Sequence, residues 1–354
     1  MYPFKGDEDY PRDQWYVAGW QNEIGRSLKA RTILGEPIVL YRTAEGLPVA
    51  MNARCPHRGF PLSRGDLIGD AIQCGYHGFT FGASGQCIRI PSQAEIPKNY
   101  RSRTYPVAER WHFLWIWMGN GDLADPNLIP DPMSDIVDHA NWCVTVGGVE
   151  ELKGRYQLLH DNLLDLSHIT FLHADTIGSP RVAATPVSIE TLHDRIIANR
   201  LVEGEHLEHS GLGKAMSIKG PVDRKQSQQF FPPSLHTTGA EFVSSSRGGV
   251  DPGRSFGTLR VFHGVTPCTP TTTHYFWGFA RNFAAADQAI NENVRQVIMN
   301  TIAQDKAGIE AVEAMLSNYG NPSREISAKV DRVAMQGRRY VQDQIRAERR
   351  PRMA

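Results

Sequence analysis

The sequence predicts an α+β chain of two domains. Residues 1–130 form an all-β N-terminal domain; residues 131–354 form a C-terminal domain in which helices pack on an antiparallel sheet. Three observations predict this. Residues 31–118 fall into short β-rich runs divided by turn signals. Residues 119–132 hold three Pro, two Gly and three Asp, the composition of a linker. Beyond them, further strand-like runs lead to a long helical pattern over 284–317. A length of 354 residues agrees with about two domains and suffices to bury a core without disulfides.

The elements follow in chain order. After a polar arm, Trp15, Tyr16, Val17 and Trp20 make an apolar start. Residues 32–34 and 38–41 are β-rich runs around Gly35-Glu36-Pro37, a turn signal. A third run covers 49–51. Runs 72–74 and 79–81 flank a loop, 82–85 is a turn, and 112–118 is the clearest strand, aromatic and β-branched without a breaker. Past the linker, residues 150–173 read as helix, with Leu158, Leu159, Leu163, Leu164 and Leu166. Runs 187–189, 196–201, 242–245, 257–265 and 272–279 make one antiparallel sheet. The pattern over 284–317 places Ile290, Val294, Val297, Ile298, Ile302, Ile309 and Val312 at helical spacing. Residues 329–350 are polar, basic and helical.

Composition removes several classes. Thirty-eight Lys+Arg balance 38 Asp+Glu, which speaks against a nucleic-acid binder. No stretch approaches the roughly 18 apolar residues of a membrane span, and no apolar secretory segment opens the chain. Five sparse cysteines fit a reducing cytoplasm.

Thirteen histidines turn attention to metal sites. Cys55-Pro56-His57 and Cys74-Gly75-Tyr76-His77 each offer one thiolate and one imidazole. Such a set holds either a tetrahedral zinc or a Rieske [2Fe–2S] cluster, in which two His replace two Cys on one iron. Three features favour the cluster. Each loop carries one ligand of each kind, whereas a zinc finger pairs like ligands. Both loops lie between strands. Gly59 and Gly78 free the backbone to approach sulfide. A zinc-stabilised binding module stays open as the alternative.

A second set lies within thirteen residues, Asp161-Asn162-Leu-Leu-Asp165-Leu-Ser-His168 and then His173. Spacing of i, i+4, i+7 puts Asp161, Asp165 and His168 on one helix face. His168 and His173 are five apart, ~140° around a straight helix turning ~100° per residue. They meet on one ion only if the helix bulges or ends between them. Two His plus one carboxylate make the facial triad of non-haem Fe(II) oxygenases. Spacing leaves the carboxylate open among Asp287, Glu292, Asp305, Glu310 and Glu313. The plainer account is an amphipathic helix with surface histidines.

Cys55-Pro-His57-Arg and Cys74-x-x-His77-Gly resemble the Rieske domain of bacterial Rieske non-haem iron oxygenases. The likeness runs from Trp15-Tyr-Val-Ala-Gly-Trp to the C-terminal helix. It implies a Rieske cluster on Cys55, His57, Cys74 and His77, and a helix-grip-like catalytic domain with Fe(II) on His168, His173 and Asp305. Asp305, in Ala303-Gln304-Asp305-Lys306, takes the family's third-ligand position. Asp165 takes the position of the acid that bridges to a cluster His of the neighbouring subunit, with Asn162 as a matching polar residue. Because cluster and iron in one chain of this family lie too far apart for fast electron transfer, the resemblance also implies a homotrimeric ring.

The compact chain is similar to the branch containing vanillate O-demethylase, dicamba O-demethylase and toluenesulfonate methyl-monooxygenase. This implies O2-dependent monooxygenation of a substituted aromatic acid, by O-demethylation or methyl hydroxylation. Electrons would come from a separate reductase or ferredoxin, since no Gly-x-Gly-x-x-Gly follows a strand. Basic residues near the cluster, such as Arg54, Arg58 and Arg64, are candidates for its docking, a plain solvated surface being the alternative. A ring cis-dihydroxylating dioxygenase is the main alternative, and a Rieske electron carrier the alternative outside enzymes. His263 sits where relatives hold a substrate carboxylate or phenol; as a plain core histidine it would be equally at home.

Overall fold

The computed structural model describes residues 10–136, 141–320 and 325–349. They divide into two compact units, Tyr10–Ile129 with Thr266–Pro270, and Pro130–Val265 with the chain from Thr271 onward.

The first unit is all β, in three small antiparallel sheets. β1 (Trp15–Trp20) and the later β10 (Val107–Arg110) flank β11 (Phe113–Trp117). β2 (Lys29–Ile33), β3 (Glu36–Arg42), β4 (Pro48–Asn52) and β9 (Thr104–Tyr105) make the second sheet in that order. β5 (Asp66–Ile68), β6 (Ala71–Gln73), β7 (Thr80–Phe81) and β8 (Cys87–Arg89) make the third. Val39, Tyr41, Met51, Leu62, Ile72 and Phe81 form one core with the sulfurs of Cys55 and Cys74. The third sheet thereby carries one cysteine loop against the other.

The second unit is one seven-stranded antiparallel sheet with helices. Its strands are β12 (Cys143–Leu152), β13 (Ser188–Thr191), β14 (Ile196–Glu205), β15 (Val222–Phe231), β16 (Leu235–Ser244), β17 (Ser255–Thr269) and β18 (Thr272–Arg281), in the order β12-β18-β17-β16-β15-β14-β13. Five strand runs were expected, and the sheet corrects this in two places. β12, given no element in the sequence reading, carries Gly147-Gly148 in its middle, a pair that hides a strand pattern. The strand bulges there against Trp277, and a Cβ on Gly147 would stand 2.2 Å from the Trp277 carbonyl oxygen. β15 is hidden by its polarity. It alternates normally, but its buried face carries Arg224, Gln226 and Gln228, so both faces read as solvent-facing.

The helices are α1 (Tyr156–Leu164), α2 (Ile169–Leu172), α3 (Pro180–Ala184), α4 (Gly211–Ala215), α5 (Gln288–Tyr319) and α6 (Arg332–Arg349). Asp287 caps α5 by accepting from Ile290 N, and the helix buries Val294, Ile298, Ile302 and Ile309. Val312 is exposed and lies off that stripe. The single helix expected over 150–173 does not form. Residues 150–152 belong to β12, and α1 stops at Asp165, which is extended (φ −115°, ψ 90°). A short 3-10 turn over Leu166–His168 and the one-turn α2 follow.

Candidate metal centres

The two cysteine loops are structural copies. In the first, Gly59 N donates to Cys55 O (2.8 Å) and Cys55 N to Phe60 O (2.9 Å). In the second, Gly78 N donates to Cys74 O (3.0 Å) and Cys74 N to Phe79 O (2.8 Å). The turn needs a positive φ, +74° at Gly59 and +70° at Gly78, which glycine adopts without strain. Both turns bury their sulfur and expose their imidazole. The rings of His57 and His77 lie 4.7 Å apart, centroid to centroid, and His57 stacks on Phe79. Burial, with the Cys74 sulfur beside it, pushes the Cys55 thiol up to about 11. A thiolate there requires a metal to hold it. Arg54, Arg58 and Arg64 are all exposed around these loops.

In the second unit the helix break does the positioning. Asp165 N closes the last turn of α1 on Asp161 O (2.9 Å), and Gln228 Nε2 takes the Leu164 carbonyl (2.6 Å). The Asp165 carboxylate then caps the 3-10 turn through Ser167 N (2.9 Å). Asp161, Asp165 and His168 therefore do not share a helix face. Asp161 instead pairs with Arg338 of α6. His168 leaves the 3-10 turn, His173 ends α2, and both imidazoles face α5. A buried two-point pair of Arg155 with Glu313 holds the start of α1 to α5 (2.7 Å each).

Nε2 of His173 and Nε2 of His168 lie 3.0 and 3.4 Å from the same oxygen, Asp305 Oδ1. Asn162 Nδ2 donates to that oxygen as well (2.9 Å). The three ligand atoms lie within 4.8 Å of one another. The other acids of α5 are elsewhere: Asp287 caps the helix, Glu292 is exposed, Glu310 takes Lys153 N, and Glu313 takes Arg155.

The other ring nitrogens set the tautomers. His168 Nδ1–H donates to the Asp165 carbonyl (2.6 Å), and His173 Nδ1–H to Gln304 Oε1 (2.8 Å). Each Nε2 is thereby the nitrogen turned toward Asp305, the arrangement a metal needs. Burial alone would raise the Asp305 carboxyl, but hydrogen bonds donated by the two imidazoles override it and hold it well below the usual carboxylate range, each Nε2 proton standing where a bound metal would replace it. Once those protons are replaced by a metal, two neutral imidazoles 3.0 and 3.4 Å from an ionised carboxylate fit a divalent iron with open positions. Within the chain the link from Asp165 to His168 runs through the Asp165 backbone carbonyl and not through its carboxylate, which takes Ser167 N.

A cavity with largely apolar walls opens on this triad. Leu166, Ile169, Phe242, Leu259 and Ile298 are among the residues that line it. His263 lies in its wall, fully engaged: Nδ1 pairs with Tyr275 Oη (2.7 Å) and Nε2 with Thr238 Oγ1 (2.8 Å). Burial pushes the imidazole down to about 4. Three residues of the site carry no clear signal in the sequence. Gln304 stands beside Asp305, and adjacency was its only signal. Tyr275 falls in the run over 272–279, which reads as a core strand, the present β18. Arg224 sits on the hidden strand β15.

The comparisons accord with this geometry. Residues 14–105 match the Rieske [2Fe–2S] domain model. Residues 152–347, more than half of the chain, match the model of the vanillate O-demethylase oxygenase C-terminal domain. The chain belongs to the vanillate O-demethylase family of Rieske oxygenases. Among relatives of this family, the toluene-4-sulfonate monooxygenase system iron-sulfur subunit of Comamonas testosteroni is 34% identical over 346 residues, 95% of this chain and 97% of its own. The vanillate O-demethylase oxygenase subunit of a Pseudomonas species is 33% identical over 346 residues, 96% of either chain. The crystal structure of dicamba monooxygenase bound to dicamba superposes with a TM-score of 0.86 at 29% identity, covering 96% of this chain and 99% of that one. Dicamba monooxygenase has also been solved with non-haem iron. The chain is accordingly an enzyme, the oxygenase component of a multicomponent Rieske system of the monooxygenase or O-demethylase type. Its cofactors are a Rieske [2Fe–2S] cluster and a mononuclear non-haem iron. An oxygenase component takes its electrons from a separate protein. No described helix is long and apolar enough to cross a membrane.

Proposed function

We propose that this oxygenase inserts one oxygen atom of O2 into a methoxy or methyl carbon of a substituted aromatic acid, with O-demethylation the favoured outcome. The observation that carries the reading is the pair of Nε2 atoms and the carboxylate oxygen gathered at the edge of a cavity with apolar walls. Relatives named for vanillate, dicamba and toluene-4-sulfonate support the substrate class. A hydroxylated methoxy carbon falls apart to a phenol and formaldehyde, so the product reports the reaction.

Cys55 and Cys74 would hold one iron of the cluster, and His57 and His77 the other. His168, His173 and Asp305 would hold the mononuclear iron, which when bound supplies the activation of O2. Asp165 and Gln304 orient the two imidazoles by accepting from their Nδ1–H groups. Asn162 steadies Asp305. The cavity's apolar walls exclude water around the ring, and His263, braced by Tyr275 and Thr238, contacts the substrate. The Asp165 carboxylate has one backbone donor and a distant Arg200 at 3.8 Å, which leaves it room for another partner. In a ring of three copies that partner would be the partner subunit's His77. Electron supply would come from a separate reductase or ferredoxin docking near Arg54, Arg58 and Arg64. The reading includes a cytoplasmic location, on five sparse cysteines that form no disulfide among the described residues.

The test has two arms. Iron and acid-labile sulfide are counted on anaerobically purified wild type and His168→Ala. About three irons and two sulfides per chain, falling by about one iron in the variant, is the expected count. A methoxybenzoate panel is then oxidised under 18O2. Formaldehyde and one labelled oxygen per turnover are expected. Two labelled oxygens in a cis-diol would identify a ring dioxygenase instead.

A further inference from the structure

We infer that Arg224 is the anion anchor of the cavity: its guanidinium receives the acidic group of the substrate and so sets which carbon faces His168, His173 and Asp305. The inference rests on the aromatic-acid reading and names the residue that would read the acid.

Arg224 is the one Arg or Lys among the described residues that lines this cavity. It is 5% exposed, so its charge is almost wholly out of water. Buried guanidinium groups are normally paired with a carboxylate, because an isolated buried charge is costly. Here no carboxylate of the described residues comes within ion-pair distance of it. Glu205 is the acid whose charge acts on it, from beyond ion-pair distance; one of its oxygens accepts from the Ser179 hydroxyl, and the other is buried without a hydrogen-bond partner. Arg224 spends one N–H on the Ile177 carbonyl (3.1 Å), and its buried Nε has no partner. Two residues along β15, on the same face, Gln226 also lines the cavity with a buried Oε1 that has no partner. This wall therefore holds unspent hydrogen-bonding capacity, including a charge.

His263 cannot do this work as placed, since both its nitrogens are engaged and burial keeps it neutral. A planar guanidinium suits a carboxylate or a sulfonate equally. The flat face of Arg224 already lies over Phe242, 5.7 Å from the ring centroid, which restrains its orientation.

The experiment measures calorimetric affinity of the as-isolated protein for 3-methoxybenzoate and for 3-methoxybenzamide, probes of one shape that differ in charge. Wild type is expected to prefer the acid by about tenfold or more. Arg224→Gln is expected to abolish that preference by weakening the acid alone, leaving the amide within about twofold. A purely structural role would weaken both probes together. If Arg224→Gln keeps the preference, Arg224 is not the anchor, while the aromatic-acid reading stands. If wild type shows no preference for the acid, that reading falls and the inference with it. Should Arg224→Gln not fold, Arg224→Lys keeps the charge but loses the fork. It is expected to weaken the acid about three- to tenfold, and unchanged acid affinity would overturn the proposal.

Discussion

His168 and His173 are ordinary imidazoles until their Nδ1 atoms are considered. Each is tied off by an oxygen acceptor, one from the Asp165 backbone and one from the Gln304 side chain. Losing an acceptor behind a ligand typically weakens metal binding 10–100-fold, because the ring can then turn or change tautomer. Gln304→Leu should therefore release iron on dialysis against a mild chelator about 10–100-fold more readily than wild type. The cluster's visible spectrum should be unaltered. Equal retention would show that Gln304 does not orient His173. Asp165→Asn tests the other side. Its backbone carbonyl survives, so iron should stay bound. If its carboxylate bridges copies, turnover should still fall by orders of magnitude, and normal turnover would remove the bridge.

At the scale of an element, the two cysteine loops share one turn but differ in surroundings. A Cβ on Gly59 would meet nothing within 4 Å, whereas one on Gly78 would come 2.8 Å from Pro91 Cγ. Gly59→Ala should thus cost only the strain of its positive φ, about 1 kcal/mol. Gly78→Ala adds a collision with a stiff ring and should cost about 2–3 kcal/mol and lower cluster occupancy. Acid-labile sulfide and thermal midpoint, compared for the two variants, check the order. Equal effects would mean that Pro91 yields freely. The break after α1 is the corresponding device in the second unit. An uninterrupted helix would keep Asp161 and Asp165 on one face. The stop at Asp165 hands Asp161 to Arg338 and frees the Asp165 carbonyl for His168.

For the whole molecule, the second unit buries neutral histidines. His160 pairs with His236 (2.7 Å), and burial pushes it down to about 3, as it pushes His263 down to about 4. An unfolded chain protonates its histidines near pH ~6.5, while these stay neutral in the fold. Between those values the unfolded state holds more protons. Stability is therefore full above about pH 6.5 and falls as pH drops toward 4 and then 3. Urea unfolding between pH 7 and 5, above the range of most carboxylates, should show this slope. His160→Asn should flatten it, and an equal slope would assign the protons elsewhere. Assembly belongs to the same scale. If the Asp165 bridge operates, sedimentation should give a species of three chains, and a monomer with full turnover would exclude the ring.

The sequence by itself determined the donor sets of two metal sites. Cys-x-His and Cys-x-x-His are local patterns, and local patterns survive without a fold. The α+β class was readable for the same reason, since β-rich runs, turn residues and the period of α5 are all short-range signals. Only the tertiary structure decided what acts at a distance. Spacing left five acids open and the family likeness pointed to Asp305; the fold brings that turn of α5 against His168 and His173. It ended α1 at Asp165, where Gln228 from a distant strand takes the last carbonyl. It also turned the polar face of β15 inward, which periodicity could not reveal, because a strand with polar residues on both faces looks solvated whether its neighbour is water or a cavity.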